Sequence, residues 1–398
     1  VRIAVVSNFF PPRPGGSSHL SESLARRYAE AGHEVLVITA EFGGAPANET
    51  VEGVRIVRLP ARQLPAITPE IDFDIRFAMG VGNVRRLTKL LDRFQPDVIH
   101  QHGQFFDLTW MTSVYAWRRK VPVLLSVHTR LESTNRVIDV AFRALDAVLV
   151  WPFIALSHAD VVVMDRPMLD YISRRYRIPA RRRVAIPVGV DPVSFRKGDR
   201  DPSWVRERWD IGDAPLIVSI GHVIALRDRV ELIRALPELR RRHPGVKVAV
   251  VGNVHYPRFL EVADELGVRD SIVCVGAVPR EQVADYLAAA DIEAHDLQGL
   301  GLGTASLEAM LAEVPVVAAL RADNFPGIEL RSGENITIVP VGDIGALVDA
   351  VDGLLRDPDR AQVIAKEQRR LVEESFAIEV VARRHLEHFE EMLARRRP

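Results

Sequence analysis

Cysteine is nearly absent: Cys274 is the one example in 398 residues. A lone thiol excludes an internal disulfide framework and fits a reducing compartment. Its place in SIVCVG, residues 271–276, reads as a buried strand position. Net charge is also missing, since 52 Lys and Arg against 53 Asp and Glu leave −1. No global basic field therefore recruits nucleic acid or an anionic membrane. No run reaches the roughly 18 consecutive apolar residues of a membrane span. The nearest, AVLVWPFIAL at 147–156, is short, contains Pro152 and reads as a buried helix. The chain opens on the strand-like VRIAVVS, so no secretory leader is expected and a cytoplasmic setting is. GxGxxG is lacking as well, because the first paired glycines stand in GGSSHL, which argues against a dinucleotide-dependent dehydrogenase.

What is present is alternation. The chain is 47% apolar and long enough for two or three domains. Short β-branched runs alternate with helical patterns. In the first half they are RIAVVS (2–7), EVLVIT (34–39), DVIHQH (97–102), VPVLLSVH (121–128), DVVVMD (160–165) and VAIPVG (184–189). In the second they are LIVSIG (216–221), VKVAVVG (246–252), SIVCVG (271–276), DIEAHD (291–296), PVVAAL (315–320) and TIVPV (337–341). Near-continuous apolar strands suit parallel sheets covered by helices on both faces. Two doubly wound α/β domains follow. The polar, Pro- and Gly-containing stretch 189–204 marks the break between them. Three helical patterns end the chain, the last over about residues 377–395.

Open α/β sheets bind ligands beyond the carboxyl ends of their strands, so four segments there are candidates. In SNFFPPRPGGSSHL (7–20), Gly15 and Gly16 precede a helix and outline an anion site. In SVHTRLEST (126–134), His128 closes a strand and is suited to donate to a hydroxyl; Thr129 and Arg130 follow it. His100 and His102 have metal-like spacing, but no neighbouring acid or thiol completes a site, so a structural role is expected. In IGHVIALRDRVELI (220–233), His222, Arg227 and Arg229 follow a strand. A guanidinium fork suits a diphosphate, whereas Arg229 reads as part of a solvated face. In LGLGTASLEAM (300–310), Gly301 and Gly303 allow close backbone approach and Thr304, Ala305 and Ser306 begin a helix with unpaired amides. Glu308 there can accept the two hydrogen bonds of a ribose diol.

Taken in order, FFPPRPGGSSHL, PDVIHQHG, VPVLLSVHT, IPVGVDPVSF, GHVIALRDRVELIRAL, VGAVPREQVADYLAAADI and GLGTASLEAMLAEVPVVAA resemble the retaining glycosyltransferase family 4 over nearly the whole chain. The resemblance implies the GT-B fold: two Rossmann-like domains facing across a cleft, with the C-terminal helix crossing back to the first. The expected domains are 1–192 with 378–398, on the acceptor side, and 193–377, holding the donor. It further implies transfer from a nucleoside-diphosphate sugar, a UDP-sugar before a GDP-sugar, to a hydroxyl acceptor. That sugar is a substrate, and no cofactor is expected. By the same resemblance Glu308 binds the donor ribose, Gly301 and Gly303 to Ser306 meet the diphosphate, and Arg227 and His222 neutralise it. Ala277 and Val278 touch the base, His128 the donor sugar, and Gly15 and Gly16 its phosphates.

Leu300 stands where the family motif has its first glutamate, which leaves the donor sugar open. Asp296, Gln298, His102, Thr129 and Arg130 are the candidate sugar or acceptor contacts. Glu313 replaces a common glycine, with little effect expected. The triplets DFD (72–74), DRD (199–201) and DPD (357–359) close no buried strand, so no metal requirement is expected. The basic stretch 82–94 reads as a solvated face rather than a membrane-binding one. Acceptor classes left open are lipid, polysaccharide, aglycone and small polyol. The competing readings are a non-catalytic nucleotide-sugar binder and a GT-B epimerase or phosphorylase.

Overall fold

The structure is a computed structural model, and it describes residues 1–13, 15–63, 76–133, 135–193, 195 and 201–395. The chain divides into two compact units, Val1–Gly189 with Ile378–Pro398, and Val190–Ala377.

In the first unit the strands are β1 (Arg2–Ser7), β2 (Glu34–Ala40), β3 (Asn48–Val51), β4 (Val54–Leu59), β5 (Arg62–Gln63), β6 (Arg76–Phe77), β7 (Val98–His102), β8 (Val123–Ser126), β9 (Asp160–Val163) and β10 (Arg183–Ala185). Its helices are α1 (Gly16–Glu30), α2 (Val81–Phe94), α3 (Asp107–Arg119), α4 (Arg136–Leu145), α5 (Trp151–Ser157) and α6 (Arg166–Tyr176). Eight strands form one sheet in the order β10-β9-β8-β7-β1-β2-β4-β3. All its pairs are parallel except β3 with β4. That exception is absent from the sequence reading. Val51 pairs with Val54 across Glu52 and Gly53, both at positive φ (50 and 79), the backbone of a two-residue hairpin turn.

The second unit has β11 (Leu216–Ile220), β12 (Lys247–Val251), β13 (Ile272–Gly276), β14 (Ile292–Glu293), β15 (Val317–Ala318) and β16 (Thr337–Ile338). Its helices are α7 (Ser203–Arg208), α8 (Val230–Arg242), α9 (Arg258–Glu265), α10 (Arg280–Ala289), α11 (Thr304–Leu311), α12 (Ile344–Arg356) and α13 (Pro358–Ser375). A parallel sheet runs β13-β12-β11-β14, and an isolated parallel bridge from Glu293 to Val316 continues it towards the β15–β16 pair. The chain ends in α14 (Ile378–Ala394), which belongs to the first unit.

Burial explains these choices. Ile3, Ala4, Val5 and Val6 of β1 are all inaccessible, with alternate side chains entering the two cores on opposite faces of the sheet. In α14 the buried residues Ile378, Val381, Ala382, His385, Phe389 and Met392 recur at helical spacing, and they complete the core beside Leu20, Leu24 and Tyr28 of α1. Two expectations fail. Cys274 is exposed, because β13 is the edge strand and one of its side-chain rows faces water. Residues 147–156 are helical, as a π-turn followed by α5, but Val148 and Trp151 face solvent, so the segment is not buried.

Candidate active site

In each unit the strand order reverses beside one central strand, between β1 and β7 in the first and between β11 and β14 in the second. Such switch points open a crevice at the strands' carboxyl ends, and the candidate residues follow those strands.

In the second unit, Gly221 follows β11 and Gly252 follows β12, both at positive φ (128 and 141). A Cβ on Gly252 would lie 2.4 Å from the Gly221 carbonyl oxygen, so only glycine fits there. The next loop turns back on itself, with Arg227 N donating to Ile224 O at 2.9 Å. Arg229 braces that loop. It donates from Nη1 to the carbonyls of Arg227 (2.7 Å) and Asp228 (3.2 Å), and from Nη2 to Gly221 O (3.2 Å). It is 1% exposed, which corrects the solvated-face reading, and burial pulls its pKa down to about 10. The physical reason is the backbone: a tight loop leaves carbonyls that a guanidinium satisfies.

Arg227 points at Asp296, with Nη1 to Oδ1 at 3.0 Å. The other carboxylate oxygen, Oδ2, accepts from Gly303 N at 2.6 Å and from Ser306 Oγ at 3.2 Å. Burial pushes the Asp296 carboxyl up, yet the His295 and Arg227 charges and these hydrogen bonds hold it below its ordinary value. The structure thus brings Arg227, Gly303, Ser306 and Asp296 together. Gly303 is the N-cap of α11, and the amides of Thr304, Ala305 and Ser306 come before Leu307 N, the first to find an acceptor in the helix, at Gly303 O. Gly301, at φ 98, turns the chain into this helix.

Glu308, one turn into α11, accepts from Arg280 Nη2 at 2.9 Å. Arg280 also lies over the Phe195 ring, 5.4 Å from its centroid. It opens α10, two residues after Val278, so the loop carrying the exposed Ala277 and half-buried Val278 is tied to Glu308. The sequence reading missed Arg280, and only its place in the VPREQV stretch hinted at it.

Two second-unit candidates behave otherwise than expected. His222 accepts at Nδ1 from Asn253 N (3.3 Å), and burial, then His255, lowers its pKa. It is a neutral Nε2–H donor near pH 7, not a charge on the diphosphate. Gln298 turns away, donating to Asp228 O (3.0 Å) and Glu231 Oε2 (2.9 Å). Leu300 is half-buried.

In the first unit, Gly15 (φ 134) caps α1 and is exposed, as is Gly16. Nothing lies within 4 Å of where a Gly15 Cβ would stand, so the space before the helix is open. A hydrogen bond of 3.0 Å links His102 Nδ1 to His128 Nε2, with the ring planes nearly parallel. Behind them His100 sits between Tyr28 Oη (3.2 Å) and Ser126 Oγ (2.9 Å), a structural position, and its ring lies 5.0 Å from that of His385 on α14. Burial, and then the His385 ring, pushes His128 down to about 4, so the ring is neutral near pH 7. Thr129 is exposed and its carbonyl accepts from Gln104 Nε2 at 2.7 Å. Arg130 lies 3.8 Å from Glu132. A pair the sequence reading missed stands at the switch point: Asn8 donates to Asp107 Oδ1 at 2.8 Å, and burial raises the Asp107 carboxyl.

Of the acidic triplets, residues 72–74 and 199–200 lie outside the described residues. Asp201 and Asp357 accept backbone amides at helix starts, from Ser203 and Arg360. Among the described residues no three His, Cys, Asp or Glu side chains are grouped to hold a metal ion, and no helix is long and apolar enough to cross a membrane.

The family model described as Glycosyltransferase Family 4 matches residues 14–193, and that described as Glycosyl transferases group 1 matches residues 205–371. The chain is a family 4 glycosyltransferase. This enzyme is 29% identical over 372 residues to a GDP-mannose-dependent alpha-(1-6)-phosphatidylinositol monomannoside mannosyltransferase of Mycolicibacterium smegmatis, covering 90% of each chain. It is 28% identical over 367 residues to a D-inositol 3-phosphate glycosyltransferase of Catenulispora acidiphila, covering 87% of this chain and 83% of that one. Among solved structures, Anabaena HepE in complex with UDP superposes with a TM-score of 0.75 at 16% identity, over 98% of this glycosyltransferase and 100% of HepE. That likeness establishes the GT-B fold.

Proposed function

We propose that this glycosyltransferase moves a hexose, with retention, from a GDP-hexose of the GDP-mannose type to the hydroxyl of an inositol-bearing acceptor. Guanosine replaces the UDP preference expected from the sequence. The mannosyltransferase named as GDP-mannose-dependent aligns over nine-tenths of both chains, whereas the UDP-bound HepE is only 16% identical.

The observation that carries the reading is the meeting of Arg227 with the start of α11 at Asp296. A cation and a row of helix-start amides converge where a diphosphate needs both. In this reading the amides of Thr304 to Ser306 and Arg227 hold the diphosphate. Ala277 and Val278 line the base, and the Arg280–Glu308 pair meets the ribose. His128 donates a hydrogen bond to a sugar hydroxyl, and Gly15 and Gly16 give an amide-lined approach to phosphate. His102, Thr129 and Arg130 remain assigned to sugar or acceptor contacts.

The bond from the sugar's anomeric carbon to the β-phosphate oxygen breaks, and its electron pair leaves with the diphosphate. The acceptor oxygen bonds to that carbon from the same face, and its proton passes to the departing phosphate. Stabilising the leaving charge is the main task, and fixed donors perform it without reorganisation. A thermal-shift panel of GDP, UDP and their sugars, then turnover of the stabilising donor with inositol acceptors, tests this. GDP-mannose should give the largest shift and an α-linked product by NMR. Stabilisation by uridine nucleotides alone would contradict the donor, and an inverted anomer the stereochemistry.

A further inference from the structure

Behind α11 lies a set of buried charges that the transfer chemistry does not use directly. Glu293, at the end of β14, is 0% exposed. Its Oε1 lies 2.5 Å from His295 Nδ1, and its Oε2 accepts from Ser306 Oγ at 3.1 Å. On the far side of the ring, His295 Nε2 is 3.3 Å from Asp296 Oδ1. Both ring nitrogens therefore face carboxylates. Arg227 and the buried Arg229 add two positive charges. The result is a chain of alternating acidic and basic side chains, Glu293, His295, Asp296, Arg227, whose last member is the first to reach solvent.

Such a network has no stability rationale. Removing ions from water costs several kcal/mol each, and apolar replacements of equal volume are often as stable. It does supply aim. An arginine side chain has many rotamers, and Asp296 fixes one arm of Arg227 at Nη1 while its second oxygen fixes the amide of Gly303, the N-cap of α11. A Cβ at Gly303 would stand 2.9 Å from Arg227 Nη1, 3.3 Å from Asp296 Oδ2 and 3.4 Å from His295 Nε2, so the helix start rests directly on this chain.

We propose that Asp296, backed by His295 and Glu293, is a positioning residue for the donor diphosphate: it locks Arg227 and the α11 amides into one arrangement before the donor arrives. The proposal rests on the function proposed above. A carboxylate can do this because it accepts at both oxygens. The isosteric amide of Asp296→Asn accepts at only one and turns a donor towards Arg227 or Gly303. Asp296→Ala instead leaves a carboxylate-sized gap lined by Arg227, His295, Ser306 and the Gly303 amide.

The test compares the wild-type enzyme, Asp296→Asn and Asp296→Ala, each checked for folding by its melting transition. Affinity for GDP and for UDP is titrated, and kcat is read at saturating donor with and without formate. Misplacing Arg227 should lower kcat about 100-fold in both variants, with nucleotide affinity falling far less. Formate should restore much of the Asp296→Ala rate and none of the Asp296→Asn rate, whose site is filled. A folded Asp296→Asn enzyme with wild-type kcat overturns the proposal, as does an Asp296→Ala defect that formate leaves untouched. Should Asp296→Ala fail to fold, the kcat of the isosteric Asp296→Asn decides alone. A wild-type enzyme that binds neither nucleotide overturns the underlying function instead.

Discussion

At Gly303 the space for a side chain is already taken by the Arg227 guanidinium. Gly303→Ala should therefore push Arg227 aside and slow transfer about tenfold or more, with the fold intact, because small misplacements at a site are costly. Steady-state kinetics beside a melting curve checks this, and an unchanged kcat would remove Arg227 from the site. Glu308→Gln weakens the pairing with Arg280 and should raise the KM for donor more than it lowers kcat, since a ribose contact serves binding in ground and transition states alike. A selective loss of kcat would move Glu308 away from the ribose. The places of Arg227, Gly303 and Glu308 just after strands and at a helix start were legible in the sequence because strand-end glycines, a guanidinium and a helix-start acid have local signatures. Their partners were not. Arg227 and Asp296 lie 69 positions apart, Arg280 and Glu308 28, and no local pattern encodes such pairings. Arg229 was misread for the same reason, since its acceptors are backbone carbonyls that exist only once the loop has closed.

Among elements, the parallel strands were readable because burial on both faces demands unbroken apolar runs. Their ends were not. DIEAHD shrinks to Ile292–Glu293, and its last two residues serve the charge chain instead of the ladder. The β3–β4 hairpin escaped because its turn is Glu-Gly rather than the more familiar Asn-Gly or Asp-Gly. Glu313, expected to matter little, takes a left-handed φ of 54 and accepts from Gln362 and Arg369 on α13, so it ties two helices together. The last helix makes the firmest prediction at this scale. Ile378, Val381, Phe389 and Met392 are buried against α1 and the first sheet, alongside the His388–Asp160 contact of 2.9 Å. Burying such side chains contributes on the order of 10 kcal/mol, comparable with the whole stability of about 5–15 kcal/mol of a typical domain. Truncation after Ala377 should leave the first unit unfolded, with its melting transition lost by calorimetry. A truncated chain that keeps both transitions would show that α14 is dispensable.

For the molecule as a whole, His100, His102, His128 and His385 gather in the first unit, and burial lowers all four, His128 and His385 to about 4 from an ordinary 6.5. Unfolding returns them to the ordinary value, so below pH 6.5 the unfolded chain binds more protons than the folded one. Their contribution is complete above about pH 6.5 and is lost as pH falls towards 4. Denaturant titrations at pH 7 and pH 5 should show lower stability at pH 5; equal values would mean these rings are not buried neutral. Chelator should leave transfer intact, because in the proposed function Arg227 and the helix-start amides supply the charge stabilisation that a divalent ion would otherwise bring to a diphosphate. The most direct test of the account is a calorimetric titration of GDP into the wild-type enzyme and Arg227→Ala. Removing a charge-assisted contact should weaken binding by about tenfold or more, and kcat by about 100-fold. Equal GDP affinity in the two proteins would mean that the diphosphate is held somewhere else.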